Sequence, residues 1–394
     1  MRGWIQFDPS QDLGSHQVVE GGPRLGAQSY TKGPLPRRPS DGDSYYIISY
    51  VEDGRGHRFT VLFHYFTAYK EALAALGFEE ALTLLGHKEG FAQVAVSLLY
   101  QEGGGREGYV SRAHQLDDGE IKRTEETPSN SPELDIRTPL GNLSGTSDCL
   151  RLEARLLQDD QALTRKYNGA KWKIELTMKD RGLPLPYLAT GIIPFAGDID
   201  YEYALTNMET SGKLIFGNNT YQVSGTSWFD REWGYFGPCK WTWMAIELSN
   251  GLRLALWDQQ KDENPNTFAA GESAFATILE PAGSVAVASV VVQEGQEEGD
   301  SFHSARSDIT YPKRWSVSIP AKQITLEVEL VRGDQEIIPI EELGPPPRIL
   351  TPRLEGKAAV KGTCAGQLVE GTAFVELFNL FPAFTALAAA ATHS

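Results

Sequence analysis

The feature that most constrains this chain is a dense succession of short strand patterns separated by turns that contain glycine or proline. Side chains of a strand alternate between two faces, so short apolar runs with period two favour sheets over helices. Many short strands at close spacing, with few helical stretches, predict an all-β chain built of sandwiches or barrels. The predicted strands are residues 45–51, 59–66, 91–100, 150–157, 171–178, 213–216, 221–229, 241–248, 252–257, 273–279, 285–292, 315–319, 324–330, 366–371 and 373–378.

Local signals mark two hairpins and one interruption of the strand pattern. A glycine-containing turn joins the first two predicted strands, and Asn250-Gly251 separates two later ones. Because Asn-Gly supplies the positive φ angles of a type I′ turn, the sequence predicts a tight hairpin there. Residues 68–86 are rich in alanine, leucine and glutamate with helical spacing, which predicts a short helical insert bordering a pocket. Residues 123–139 are polar with three prolines and predict a loop.

The length of 394 residues is sufficient for two separate hydrophobic cores. Residues 1–43 are rich in glycine, proline and serine and predict an extended N-terminal arm. An N-terminal β domain is predicted for residues 44–236, with the helical insert inside it. A C-terminal β-barrel domain is predicted for residues 237–394, beginning at Gly237-Pro238.

Composition excludes several functional classes. There are 36 Lys and Arg against 52 Asp and Glu, and the net charge of −16 argues against binding nucleic acid or an anionic membrane by charge. Cys149, Cys239 and Cys364 are too dispersed for a zinc ribbon or a disulfide-dense scaffold, and their pairing stays open. The seven histidines do not occur at metal-ligand spacing, and the sequence contains no nucleotide-binding loop or nucleophile elbow. No metal and no cofactor are therefore expected.

The cellular location is left open by the sequence. The longest uncharged apolar run, residues 377–392, is too short to span a bilayer and contains a proline. The N-terminus is too polar for a signal peptide. Glycosylation triplets begin at Asn142 and Asn218, so secretion after removal of a leader stands beside a cytoplasmic location.

Aromatic and acidic side chains share strand faces in the most informative segment, residues 211–236. Alternation from Tyr221 places Tyr221 and Phe229 on one face and Trp228 and Asp230 on the other, more polar face. A barrel lumen would supply such a surface. Aromatic walls with a few polar groups are typical of sites for flat or polyunsaturated apolar ligands.

Two later strands repeat this combination. Trp241, Trp243 and Glu247 fall on one face of their strand, and near the C-terminus Glu376 stands between Phe374 and Phe378. Each strand therefore places a carboxylate among aromatic rings.

At residues 225–234 (GTSWFDREWG), followed by Trp241-Thr-Trp243 and Asn250-Gly251, the sequence resembles the lipocalin-like carotenoid hydratase family, which includes fungal Diels–Alderases. Weaker matches are Tyr45-Tyr46, residues 311–317 and residues 371–377. The resemblance implies two lipocalin-like β-barrel or sandwich domains with a ligand pocket between or within them. Hydratase-like members often have Asp-His where this chain has Asp230-Arg231, which favours the pericyclase branch.

The resemblance implies a cofactor-independent pericyclase, a Diels–Alderase or hetero-Diels–Alderase of fungal polyketide or terpenoid secondary metabolism. Its partner would be an apolar polyunsaturated small molecule, and dehydration to a quinone methide could precede the cycloaddition. Such chemistry requires two π systems held in reacting geometry and hydrogen-bond donors in a dry pocket. Candidate catalytic residues are Asp230, Arg231, Glu376 and His64; candidate binding residues are Trp228, Trp233, Tyr235, Trp241, Trp243, Glu247, Phe374 and Tyr46.

Structural interpretations of the same residues stay open. Asp230-Arg231 fits an ion pair that ties the two domains together, Trp241 and Trp243 fit core positions, and His64 fits a packed histidine. Two other functions also fit. One is an isoprenoid alkene hydratase or dehydratase with Asp230 as the acid, and the other is a non-catalytic lipocalin-like carrier.

Overall fold

The computed structural model describes residues 12–17, 42–70, 90–102, 107–116, 134–146, 149–157, 171–195, 198–234, 237–260, 268, 273–338, 351–382, 385 and 388. Within these ranges the chain is all-β, as predicted, and two large antiparallel sheets account for most of it. No helix among the described residues combines the length and the apolar character needed to cross a bilayer.

The first sheet uses residues 42–234 and runs in the order β5-β4-β3-β2-β13-β12-β9-β8-β7-β6, with β10 and β11 also paired to β12. It curls around an apolar core of its own, which includes Phe63, Trp172 and Phe229. Its strands are β2 (Gly42–Glu52), β3 (Arg58–Tyr69), β4 (Gly90–Gln101), β5 (Glu107–Gln115), β6 (Leu134–Arg137), β7 (Gly141–Thr146), β8 (Cys149–Leu157), β9 (Lys171–Asp180), β10 (Pro184–Pro186), β11 (Ile192–Phe195), β12 (Asp198–Phe216) and β13 (Asn219–Gly234).

The second sheet runs in the order β1-β17-β16-β15-β14-β25-β24-β22-β21-β18, with β23 paired to β24. It curls around a second core that includes Met244, Trp315 and Leu377. Its strands are β1 (Asp12–Gln17), β14 (Lys240–Leu248), β15 (Arg253–Gln260), β16 (Ser273–Leu279), β17 (Ser284–Ser289), β18 (Val291–Glu294), β21 (Arg314–Ile319), β22 (Ile324–Leu330), β23 (Glu336–Ile337), β24 (Arg353–Cys364) and β25 (Gln367–Asn379). A separate pair joins β19 (Ser301–His303) to β20 (Thr310–Pro312).

A third apolar cluster lies between the two sheets and is built from the outer face of each. Tyr46, Leu62 and Trp228 enter it from the first sheet, and Trp243 and Phe374 enter it from the second. Since the residues that alternate with them fill the two barrel cores, strand alternation alone separates the interior of each barrel from the interface.

The hairpin predictions are confirmed, with one correction. β2 pairs with β3, and β14 pairs with β15 across Asn250-Gly251. The turn is not type I′, however, because only Gly251 has a positive φ angle, 89°, and Asn250 does not. The Gly251 N–H donates to the Leu248 carbonyl, so the two central residues are Ser249 and Asn250 and the glycine follows them.

Other strand boundaries differ from the predictions. β12 has 19 residues, although only residues 213–216 were predicted, and β24 was not predicted at all. Charged and small residues in both strands obscure the apolar alternation. Residues 366–371 and 373–378 form the single strand β25, and β6 lies within the predicted loop 123–139.

The helical insert predicted for residues 68–86 falls almost wholly outside the described residues; Ala68 and Tyr69 belong to β3. Part of the predicted arm, residues 12–17, is β1 and pairs with β17 of the second sheet. The division at residues 236 and 237 stays a prediction. The three cysteines, Cys149, Cys239 and Cys364, are unpaired thiols.

Candidate functional site

A cavity opens between the two sheets, and the empty space in and around it, open solvent included, is about 630 Å³. Its wall combines aromatic rings with an unusual number of carboxyl groups. The barrel lumens are filled by the two cores, so the lumen location expected for Trp228 and Asp230 is wrong, and the face they share is the interface. The lining residues are Gly42, Asp43, Ser44, Tyr46, His64, Phe66, Phe195, Asp200, Glu202, Asp230, Glu232, Trp233, Gly234, Trp241, Trp243, Trp257, Glu376 and Phe378.

Strand register aligns the polar side chains of the first sheet in rows. Asp230 lies opposite Tyr46, and Tyr46 lies opposite His64. In the next row, Glu232 lies opposite both Glu202 and Ser44. Residues directly opposite in a sheet face the same side, so both rows point into the cavity.

Asp230 is a buried carboxylate that accepts two side-chain hydrogen bonds in the cavity wall. Its Oδ2 accepts hydrogen bonds from the Tyr187 hydroxyl at 2.6 Å and from the Trp228 indole at 3.1 Å, whereas Oδ1 has no hydrogen-bond partner among the described residues. The Tyr187 oxygen in turn accepts a hydrogen bond from the Trp243 indole at 3.0 Å. Burial raises the pKa of Asp230 to about 6, although the hydrogen bonds from Tyr187 and Trp228 act to lower it. Near neutral pH this carboxyl is therefore mostly ionised and has a free basic oxygen.

Tyr187 is held by an unusual piece of backbone. It opens a 3-10 turn, Tyr187–Ala189, in which Leu188 and Ala189 have left-handed φ angles of 48° and 60°. The Leu188 N–H donates to the Thr277 hydroxyl of the second sheet at 2.9 Å. Non-glycine residues adopt this conformation at a cost, so the surrounding contacts fix the turn and with it the Tyr187 hydroxyl.

Glu202 is a second carboxyl group beside Asp230. Its Oε2 accepts a hydrogen bond from the Trp257 indole at 2.8 Å, and the residue is buried. Burial and then the negative charge of Asp230 raise the pKa of Glu202 well above its ordinary value. Glu202 therefore holds its proton to higher pH than an exposed glutamate does.

Glu232 and Asp200 form a further carboxyl pair at the end of β13. Burial, followed by the charge and hydrogen bonding of Asp200, raises the pKa of Glu232 well above its ordinary value. β13 ends at Gly234, whose φ angle is 140° and whose missing side chain leaves room for Asp200.

On the opposite wall, Glu355 is the centre of an ion-pair network. The Arg353 guanidinium donates to Glu355 Oε1 at 2.6 Å, and the Tyr46 hydroxyl donates to Glu355 Oε2. His64 Nδ1 lies 3.5 Å from Glu355 Oε1, and His64 Nε2 lies 3.1 Å from the Ser44 hydroxyl. Burial alone would raise the pKa of Glu355, but Arg353 and these hydrogen bonds hold it below its ordinary value. Burial lowers the pKa of His64, which is therefore neutral at pH 7.

His64, Glu355 and Glu376 are the described residues whose ligand atoms come closest to a metal-binding arrangement, lying within 4.8 Å of one another. Arg353 contacts two of the three, since its guanidinium lies 3.4 Å from His64 Nδ1 and bonds Glu355. A fixed positive charge at this point opposes a cation, so the residues fit an ion-pair network better than a metal site.

Of the residues expected to be catalytic, Asp230, Glu376 and His64 all line the cavity. Arg231 does not line it. Alternation turns its side chain into the first barrel, where it is fully buried, pairs with Asp43 and stacks 4.2 Å from the centre of the Tyr45 ring.

The residues expected to bind substrate also separate into groups. Tyr46, Trp233, Trp241 and Trp243 line the cavity. Trp228 and Phe374 lie behind its wall, in contact with Trp243 and Tyr46 respectively. Glu247 faces the same interface as Trp243 but lies outside the lining, 3.5 Å from Arg253. Tyr235 lies outside the described residues.

Several cavity residues were not singled out from the sequence. Glu202 and Asp200 alternate with Tyr201 and Tyr203 in β12, and Arg353 alternates with Leu354 before Glu355 in β24. In both strands, the alternation of charged residues with aromatic or apolar residues could have indicated these cavity residues from the sequence. Tyr187 and Trp257 had no comparable signal, because a turn and a distant strand bring them to the site.

Comparison with known proteins assigns the chain to a family. The family model described as AttH-like matches residues 143–379. Dehydratase asqC of Emericella nidulans is 25% identical over 162 residues, which are 39% of this chain and 45% of that protein. The alignment thus spans less than half of that relative.

Two solved structures share the fold. Kievitone hydratase from Nectria haematococca has a TM-score of 0.62 at 18% identity, covering 86% of this chain and 89% of that chain. An AttH candidate from Nitrosomonas europaea has a TM-score of 0.62 at 16% identity, covering 89% and 97%. At these low identities the two matches show that the fold is shared. The lipocalin-like resemblance inferred from the sequence is therefore confirmed for the fold. Because the family model matches more than half of its residues, the chain belongs to the AttH-like family.

Proposed function

We propose that this protein is an enzyme that eliminates water from, or adds water to, an apolar unsaturated substrate held between its two barrels. The observation that carries the proposal is the pair Asp230 and Glu202, two neighbouring buried carboxyls that line the cavity and whose pKa values are raised by burial, to about 6 for Asp230 and well above the ordinary value for Glu202. A pair of titratable groups whose environments separate their pKa values is the arrangement that general acid–base catalysis requires.

The elimination assigns one proton transfer to each carboxyl. Ionised Asp230 takes a proton from the carbon next to the hydroxyl-bearing carbon, and the C–H electron pair forms the new double bond. The C–O bond breaks as protonated Glu202 gives its proton to the departing oxygen, so that water leaves. Transfer of the proton from Asp230 back to Glu202 restores the starting state, and hydration is the same sequence in reverse.

The relatives support this class of reaction. One relative is named a dehydratase and one protein of the same fold is named a hydratase. The aromatic wall suits an apolar substrate, with Trp233, Trp241, Trp243 and Trp257 all facing the cavity.

A second, finer proposal is that the cavity also guides a cycloaddition of the alkene that dehydration produces, a Diels–Alder or hetero-Diels–Alder reaction of fungal secondary metabolism. The aromatic rings support it, because they can hold two π systems face to face without a nucleophile. The Tyr46 and Trp243 rings, 5.3 Å apart, join the two barrels within this wall.

The test is to incubate the protein with a panel of β-hydroxy ketones and hydroxybenzyl alcohols and to follow loss of water by mass spectrometry. Asp230→Asn and Glu202→Gln should each lower kcat/KM by about 10²- to 10⁴-fold. Glu336→Gln, which alters a buried carboxylate outside the cavity lining, is the matched control and should keep activity. Full activity in both cavity variants would refute the assignment.

Isotopes separate the functions. Hydration in heavy water places deuterium on carbon, whereas a cycloaddition alone does not. Addition of a dienophile to the dehydration assay should give one stereoisomer of adduct if the cavity guides cycloaddition, and the racemic mixture if it does not. A carrier would bind its ligand stoichiometrically and return it unchanged.

A further inference from the structure

On the second-sheet side of the cavity, two hydrogen-bonding groups have an atom with no hydrogen-bond partner among the described residues, in addition to Asp230 Oδ1 on the first sheet. Trp241 and Glu376 are 6% and 7% exposed, and both line the cavity. Neither the Trp241 Nε1–H nor Glu376 Oε1 makes a hydrogen bond. Buried polar atoms are almost always paired, so these unpaired atoms in the wall of one cavity point to a ligand that completes them.

Comparison with the neighbouring indoles shows that the Trp241 N–H is exceptional in this interface. Trp228, Trp243 and Trp257 each donate to a protein oxygen. The Trp241 ring itself is fixed by edge contact with Phe378 at 5.0 Å and Phe195 at 5.7 Å. Its donor is therefore held in place and unused.

Glu376 presents a donor of its own. Burial, and then the negative charge of Glu355, raise the pKa of Glu376 well above its ordinary value, which favours the protonated carboxyl. The positive charge of Arg353 and the hydrogen bonds from His64 and Tyr46 hold the pKa of Glu355 below its ordinary value, so Glu355 remains ionised. The Trp241 indole lies close enough to Glu376 to lower its pKa, although neither Trp241 Nε1 nor Glu376 Oε1 has a hydrogen bond of normal geometry. An acceptor atom of a ligand placed beside both groups would complete both.

We propose that Trp241 and Glu376 together bind the oxygen of a substrate carbonyl whose carbon is bonded directly to the carbon from which Asp230 removes a proton. This inference rests on the proposed function and deepens it, because it names the substrate class as a β-hydroxy carbonyl compound or its enone product. When the C–H bond breaks, negative charge moves onto the carbonyl oxygen, and the two donors stabilise it there. The electron pair then moves back from the carbonyl oxygen and forms the carbon–carbon double bond. At the same time the C–O bond breaks, and Glu202 protonates the departing hydroxyl, which leaves as water.

The two groups face the cavity from the second sheet, Trp241 from β14 and Glu376 from β25. Asp230 and Glu202 face it from the first sheet, on β13 and β12. A substrate spanning the cavity would thus have its carbonyl held by one barrel and its reacting carbon facing the other.

Binding measured without turnover tests the inference separately from catalysis. Isothermal titration calorimetry in an Asp230→Asn background would compare chalcone, an enone, with 1,3-diphenylpropene, which differs only in lacking the carbonyl. Chalcone should bind at least tenfold more tightly. Trp241→Phe and Glu376→Leu should each reduce that ratio by about tenfold, the loss expected for one hydrogen bond to a polarised oxygen.

Two further variants make the result specific. Glu376→Gln retains a neutral donor and should keep the chalcone preference within about threefold, as expected for a carboxyl that acts in its protonated form. Trp315→Phe alters an indole that also lacks a partner but lies in the second barrel core, away from the cavity, and should leave the ratio unchanged.

An unchanged ratio in Trp241→Phe and Glu376→Leu would overturn the inference, and so would failure of chalcone to bind at all. Circular dichroism establishes that each variant is folded. Activity that persists in Asp230→Asn would instead count against the proposed function, so the two failures are distinguishable.

Discussion

Replacing Tyr187 with phenylalanine removes the hydroxyl that donates to Asp230 Oδ2 at 2.6 Å and leaves the ring in place. This hydrogen bond favours the ionised carboxyl, so its loss raises the pKa of Asp230. A hydrogen bond to a charged group contributes about 1.5–3 kcal/mol, and one pKa unit corresponds to about 1.4 kcal/mol. The pKa of Asp230 should therefore rise from about 6 to about 7–8.

The assay is the pH profile of kcat/KM for water elimination, in which Asp230 acts as the ionised base. Activity rises with pH through the pKa of the base, so the acid limb should move upward by about one to two units. At pH 6.5 about three quarters of Asp230 is ionised in the unchanged protein, against roughly a tenth if the pKa becomes about 7.5. Activity at that pH should fall several-fold and rise again as the pH increases through the new pKa of Asp230.

Tyr311→Phe is the matched control. Tyr311 also donates to a buried carboxylate, Glu336, at 2.8 Å, but lies in the core of the second barrel. Loss of the Tyr311 hydroxyl should lower the free energy of unfolding but leave the pH profile of kcat/KM unchanged. An acid limb that stays at the same pH in Tyr187→Phe, or moves downward, would refute Asp230 as the base and Tyr187 as the group that sets its pKa.

Two further predictions concern stability. Arg231→Met should lower the free energy of unfolding by about 3–5 kcal/mol in urea titration, because the buried carboxylate of Asp43 loses the guanidinium paired with it. The double variant Asp43→Asn/Arg231→Met should lose less free energy of unfolding than the single variant. Equal losses in the two variants would contradict this reasoning. The pKa of Glu232 is raised in the folded protein above its ordinary value of 4.5. As the pH rises above 4.5, the unfolded chain releases this proton while the folded protein still holds it, so the free energy of unfolding should fall. Glu232→Gln should flatten that fall and raise Tm at pH 8, and an unaltered slope would show that Glu232 does not carry it.

The fold class could be predicted from the sequence because strand alternation is a local property. The pattern from Tyr221 to Asp230 correctly placed Phe229 and Trp228 on opposite faces, and the same reasoning placed Trp241 and Trp243 together. Most of β12 and the whole of β24 were missed, because in both strands the apolar alternation is weak. Their interface positions carry charged residues such as Glu202 and Arg353, which weaken an apolar period of two.

The candidate site could be predicted only in part. Asp230, His64 and Glu376 could be proposed because each stands among aromatic residues on its own strand. Arg231 was grouped with Asp230 as its sequence neighbour, yet adjacent residues in a strand point to opposite sides, and the two face different cores.

The sequence by itself determined which residues share a face of each strand, and hence that acids and aromatic rings occur together. Only the tertiary structure decided which outer faces meet. Tyr187 and Asp230 are 43 residues apart, and Tyr46 and Glu355 are 309 apart, yet each pair forms a hydrogen bond. The pKa values that separate Asp230 from Glu202 also arise there, because they depend on burial and on neighbouring charge, and both exist only once the two barrels have packed together.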